Sequence, residues 1–158
     1  MLSSEIRDIL AKAQHFCSYQ ERCTREVQRK LVNMGASEDQ REQIIQALID
    51  EGYLDDRRFA REYAYGKFHN NQWGKVRIRL ELTSRGINSA SIREALDAID
   101  GEAYMQVIRQ LATKKYDALR SKNSSHIREK AASYLSQKGF ESDLIWQAVR
   151  EAEEEYKS

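Results

Sequence analysis

The stretch Gly52–Ile87, GYLDDRRFAREYAYGKFHNNQWGKVRIRLELTSRGI, decides how this chain folds. Asp55 stands where a helix N-cap is needed and Asp56 falls in the first turn. Phe59, Ala60, Tyr63, Ala64 and Phe68 then recur at the three-four spacing of one helical face. Gly74 can start a second helix, which carries Ile78 and Leu82 and stops at Gly86, where a left-handed residue costs no Cβ clash. Ile87 follows to seal the turn. The stretch also concentrates positive charge: Arg57, Arg58, Arg61, Lys67, Lys75, Arg77, Arg79 and Arg85, against Asp55, Asp56, Glu62 and Glu81. With a net charge of only +1, the remainder of the chain is acidic on balance.

Working outward, the glycine-ended helix occurs three times. KLVNMGA ends at Gly35, LELTSRGI at Gly86 and SYLSQKGF at Gly139; a leucine sits four residues before each glycine, at Leu31, Leu82 and Leu135. Ala36, Ile87 or Phe140 comes next. A further apolar stripe then reads Ile92, Ala95, Leu96, Ile99 in the second copy and Ile145, Ala148, Val149, Ala152 in the third. The first copy keeps Ile44, Ile45 and Leu48 but has Arg41 at the leading position. Upstream of each copy lies another stripe: Leu2, Ile6, Ile9, Leu10, Ala13, Phe16 and Cys17 in the first, Tyr104, Val107, Ile108, Leu111, Ala118 and Leu119 in the third. The pattern predicts an all-α chain of tandem three-helix repeats forming an elongated curved solenoid, divided at 1–52, 53–101 and 102–158. The predicted helices span 3–19, 24–34, 38–51, 56–70, 75–85, 89–100, 102–120, 125–138 and 142–156. Gly52 and Gly101 read as breaks, and Ser37, Ser89 and Ser142 as caps of the third helices. Gly66, inside a helix, reads as a site of close packing or a bend.

Composition agrees. The 158 residues contain no proline and only seven glycines, while 32% are charged, which favours helix with much wetted surface. No run approaches the roughly 20 apolar residues of a membrane span, and charge interrupts the apolar positions of MLSSEIRDIL, so it does not read as a signal peptide. Cys17 and Cys23 with His15 fall one ligand short of a zinc site, and a cytoplasmic, reduced protein without metal or cofactor is expected.

Catalysis has no visible apparatus. Asp55 and Asp56 diverge by about 100° around a helix axis, too far to clamp one reacting centre. His15, His69 and His126 are scattered, and no glycine-rich phosphate loop is present. The basic cluster has two readings, a solvated helix face or a surface for a polyanion or acidic partner. Arg57, Arg58 and Arg61 approach one side of their helix; Lys75 and Arg79 share a side of the next, with Arg77 elsewhere. Tyr65 and Trp73 are candidates for stacking, whereas Phe59, Tyr63, Phe68 and Trp146 are assigned to the core. The acidic run of Glu151, Glu153, Glu154 and Glu155 fits a solvated terminus or a device that orients the chain on a partner.

YLDDRRFA, followed by KVRIRLELTSRGI and later by YLSQKGFESDLIWQAV, resembles the RecX family of bacterial recombinase regulators over essentially the whole chain. Asp55, Asp56, Phe59, Gly74, Ile78, Leu82, Gly86 and Ile87 match its signature, mostly as architecture. The resemblance implies a RecA modulator that lodges in the groove of the RecA–single-stranded-DNA filament and impedes filament growth, strand exchange and the stimulation of repressor cleavage; a monomer that is not an enzyme is expected. On that reading Arg57, Arg58, Arg61, Lys67, Lys75, Arg77, Arg79 and Arg85 face the partner or DNA. An independent nucleic-acid-binding protein and a protein-binding scaffold are the alternatives.

Overall fold

The computed structural model describes residues 3–157, so Leu2 lies outside the described residues. Among the described residues every regular element is a helix: α1 (Ser4–Tyr19), α2 (Thr24–Asn33), α3 (Glu38–Asp50), α4 (Asp56–Asn71), α5 (Lys75–Ser84), α6 (Ser89–Asp97), α7 (Gly101–Ser121), α8 (Ile127–Lys138) and α9 (Ser142–Lys157). The tandem three-helix architecture is therefore as expected. All extensive helix–helix packing is inside a triplet, so the triplets meet through helix ends rather than helix faces.

The three glycine signals mark the same device. The N–H of Ala36, Ile87 and Phe140 donates to the carbonyl of Leu31, Leu82 and Leu135 at 3.0, 3.2 and 3.3 Å, and the glycine N–H donates three residues back. This is the paired bonding of a helix closed by a left-handed residue. The leucine and the residue after the glycine are buried in every copy. Arg41, the first copy's irregular residue, turns back to donate to the Ala36 carbonyl at 2.8 Å. It replaces an apolar contact with a polar one.

Several boundaries and roles differ from the sequence reading. Asn88, not Ser89, caps α6, accepting from Ser91 N at 2.8 Å. Glu141 occupies the cap position of α9, because its carbonyl takes the first helical bond from Ile145. Gly101 opens α7 instead of breaking the chain, since the Asp100 side chain accepts from Ala103 N and α6 has already ended at Asp97. Trp146 is 37% exposed and not core. A Cβ on Gly66 would find only Asn70 Nδ2, at 3.9 Å, so close packing does not require that glycine.

Three triplets bury two cores. Ile6, Leu10, Ala13, Val27, Leu31, Ile44 and Leu48 form the first, joined by Leu54 from beyond α3. The second runs unbroken through the other triplets, from Phe59, Phe68, Ile78 and Leu82 to Tyr104, Ile108, Leu135, Phe140 and Val149. Its continuity rests on an end-on contact. Gly74 N donates to Lys138 O at 2.7 Å and Val76 N to Gly139 O at 2.9 Å. Between them Lys75 N donates to the Tyr104 hydroxyl at 2.9 Å. The unpaired donors that open α5 thus meet the unpaired acceptors that close α8, with the two helix dipoles aligned favourably. Both ends must be glycine. A Cβ on Gly74 would lie 2.2 Å from Gly139 O, and one on Gly139 (φ +95°) would lie 2.2 Å from Arg77 Cβ.

Gly74→Ala is expected to destabilise the protein by about 2–3 kcal/mol in urea unfolding, through overpacking of a seam without slack. Gly66→Ala, in open helix, is expected to stabilise it by roughly 1 kcal/mol. Equal effects at the two positions would remove the end-on seam from the account. A pH effect follows at the other end of the chain. Arg128, and after it Lys157, hold the Glu153 carboxyl down at about 2 against an ordinary 4.5. A lowered folded value stabilises above the unfolded one, so this tie between α8 and α9 is complete above about pH 4.5 and lost as pH falls toward 2. Thermal melts over that window should show a decline that Glu153→Gln flattens.

Candidate docking surface on the middle triplet

The cations of the quoted stretch divide into two groups. Arg57 and Arg58 of α4 are committed inside the molecule. Arg57 grips both oxygens of Glu94 on α6, with Nε at 2.8 and 2.9 Å and a terminal nitrogen at 2.6 Å. That fork holds the Glu94 carboxyl below its ordinary value. Arg58 reaches back to Glu21 at 3.0 Å and to the Gly52 and Tyr53 carbonyls, fastening the first triplet to the second. Arg61 is exposed and adds its field to the same Glu94. Arg85 pairs with Glu81 at 2.9 Å, one turn back on α5.

The remaining cations sit on or beside α5. Lys67 lies over Tyr63 (5.5 Å to the ring centroid) and Trp73 (4.8 Å), while Arg77 lies over Trp73 at 3.9 Å and Arg85 over Tyr63 at 4.8 Å. Cation and ring alternate in the order Arg85, Tyr63, Lys67, Trp73, Arg77. Both rings are half-buried, so they prop the cations up instead of offering free faces for bases. Trp73 is therefore not the open stacking platform expected of it. Tyr65 is exposed, with His69 against it at 4.0 Å. Lys75 Nζ lies over the Tyr104 ring at 4.9 Å. Among the described residues no carboxylate comes within ion-pairing distance of Lys67, Lys75, Arg77 or Arg79. Lys138 adjoins this group, donating to Asn71 O at 2.8 Å; burial, then the nearby Arg77 charge, push its pKa down.

One side of α5 faces outward. Val76 and Leu80, a turn apart, are exposed, Leu80 at 66%, and Arg79 and Thr83 lie beside them. The opposite side buries Ile78 and Leu82. This apolar pair is the feature sequence reasoning missed; Leu80, off the buried stripe, was its signal. Also missed were the intramolecular partners Glu21 and Glu94, which nothing in the spacing links to α4.

The signature residues are architectural. Phe59, Ile78, Leu82 and Ile87 are buried. Asp55 caps α4, accepting from Arg57 N and Arg58 N at 3.0 and 3.1 Å. Asp56 does more than its sequence position suggested: Oδ1 accepts from Thr24 N at 2.7 Å and Thr24 Oγ1 at 3.0 Å, so it caps α2 of the first triplet. Gly86 leaves room for the Arg25 guanidinium, which donates to Ser84 O at 2.5 Å.

Residues 55–96 match the family model for the second three-helix domain of RecX, and residues 102–149 the model for its third. The Regulatory protein RecX of Chromobacterium violaceum is 31% identical over 150 residues, which cover 94% of this chain and 93% of that protein. The chain belongs to the RecX family. Among solved structures, RecX from Lactobacillus salivarius superposes with a TM-score of 0.86 at 27% identity, covering 96% of this chain and 99% of that one. The Regulatory protein RecX of Oceanobacillus iheyensis is 30% identical over 93% of this chain, but the match spans 56% of that longer relative. Such relatives are named as regulatory proteins, in keeping with a non-enzymatic role. Among the described residues no helix is long and apolar enough to cross a membrane, and no cluster of His, Cys, Asp or Glu is arranged to hold a metal ion.

Asp56→Ala removes the α2 cap and one tie between RecX domains. A loss of about 1 kcal/mol is expected, read as a lower urea midpoint with exchange rising first at the amides that open α2. Unchanged protection there would refute the capping role.

Proposed function

We propose that this chain regulates a RecA recombinase by binding its filament on single-stranded DNA, with α5 as the contacting helix. Membership of a family of regulatory proteins supports the reading. The observation that carries it is that Lys67, Lys75, Arg77 and Arg79 have no carboxylate within ion-pairing distance among the described residues, beside the exposed Val76–Leu80 pair. The cations suit phosphates or carboxylates and the apolar pair suits a protein wall, so a composite of protein and nucleic acid fits better than bare strands. Arg57, Arg58 and Arg85 leave the set of binding residues, because their charge is spent on Glu94, Glu21 and Glu81. In this mechanism the chain bridges neighbouring protomers, slows filament growth and strand exchange, and reduces stimulation of repressor cleavage. It acts as a monomer in the cytoplasm, with no cofactor.

If four single-strand phosphates are neutralised, log affinity against log salt has a slope of about −3. Lys75→Glu with Arg79→Glu is expected to abolish inhibition of RecA ATPase and strand exchange at low salt. Arg57→Ala is expected to leave it intact. A doubly reversed variant that inhibits as strongly as the parent would sink the assignment. Equal affinity for naked and RecA-coated strands would favour direct nucleic-acid binding; salt-insensitive binding without DNA would favour a scaffold.

A further inference from the structure

The first triplet carries a groove of about 530 Å³ between α1 and α2, on a different module from the α5 surface. Its floor is apolar, formed by Ala11, Phe16 and Met34, and its rim carries Lys12, His15, Arg22 and Lys30, with Tyr19 at 79% exposure. None of the acids of α1–α3 lines it, although that triplet includes Glu38, Asp39, Glu42, Asp50 and Glu51. Lys12 and Lys30 have no carboxylate within ion-pairing distance among the described residues; Arg22 alone leans toward one, Glu26, at 3.9 Å.

We infer that this groove docks an acidic peptide segment of a protein partner, with an apolar side chain inserted between Phe16 and Met34. An acid-free cationic rim selects negative charge. The floor decides between a polypeptide and a nucleic acid. Arg22 lies 3.8 Å over the Phe16 ring, held there by its Nε bond to Phe16 O at 3.1 Å, and Lys30 lies over the same ring at 5.3 Å. Base stacking needs an open ring face; the Phe16 ring already carries two cations, and the exposed Tyr19 stands on the rim. Phe16 and the flexible Met34 are both half-buried in the lining, and this apolar surface accommodates a leucine- or phenylalanine-sized anchor. The acidic peptide supplies the charge, the anchor the position, as in helix-in-groove recognition.

The test uses the full chain and two labelled probes in fluorescence anisotropy: a short peptide of aspartates and glutamates carrying two leucines one helical turn apart, and an oligothymidylate of matching charge. Saturable peptide binding is expected, with at least about a tenfold loss in Lys12→Glu/Lys30→Glu, worth 1.4 kcal/mol or more. Both lysines are exposed, and circular dichroism checks that the fold is kept. The peptide with both leucines changed to serine should bind at least about tenfold more weakly, by the same relation. Oligothymidylate binding should respond to Lys75→Glu/Arg79→Glu and not to the groove variant. Absence of peptide binding, indifference to the groove variant or to loss of the leucines, or loss of oligonucleotide affinity in the groove variant would each overturn the inference. Failure of the α5 variant alone would count against the proposed function and leave the groove untouched.

Discussion

A helix that opens on glycine has no side chain to satisfy its first donors, and α5 opens on Gly74. Its N–H groups must find acceptors or remain unpaired in a half-buried seam, at a cost of roughly 1–3 kcal/mol each. The carbonyls of Lys138 and Gly139 and the hydroxyl of Tyr104 meet that need. Tyr104 in turn donates to Glu141, the residue at the cap position of α9. Burial, with Glu141 beside it, raises the Tyr104 pKa well above its usual range, so the hydroxyl stays protonated and able to donate. From this contact follow the unbroken core of the second and third domains and the orientation of α5, whose outward side is fixed by what its inward side and its ends must touch.

Charge is distributed according to the same constraint. Arg57 and Arg58 of α4 lie where α6 and the first domain come within reach, and carboxylates answer them. The cations around α5 lie past the last such neighbour, where half-buried rings hold them upright. Two runs of basic residues close together in the chain therefore have opposite fates. One is mortar and the other is free charge.

Much of this was legible in the residues. Leucine, glycine and a following apolar residue, repeated three times, specify local bonding that needs no distant partner, and each copy closes as its spacing implies. The register of most helices is legible for the same reason. The joining of triplets was not. Gly74 and Gly139 are far apart in the chain, and no local pattern reveals that two helix ends will abut; each glycine already had a sufficient local explanation. The pairing of Arg57 with Glu94 and of Arg58 with Glu21 is equally non-local, which is why a count of cations overstated the free ones. Trp146 failed differently: the apolar stripe places it on the correct edge of α9, but the stripe is too narrow to cover so large a ring.

The two junctions are made of different materials. Domains two and three share side chains in one apolar core. The first domain is fastened chiefly by Asp56 on Thr24, Arg58 on Glu21 and Arg25 on the end of α5, with Cys23 as its buried contribution to the larger core. Polar ties at a surface can be exchanged with water, one at a time, whereas a shared core opens only as a whole. The first junction would therefore open before the core that the second and third domains share.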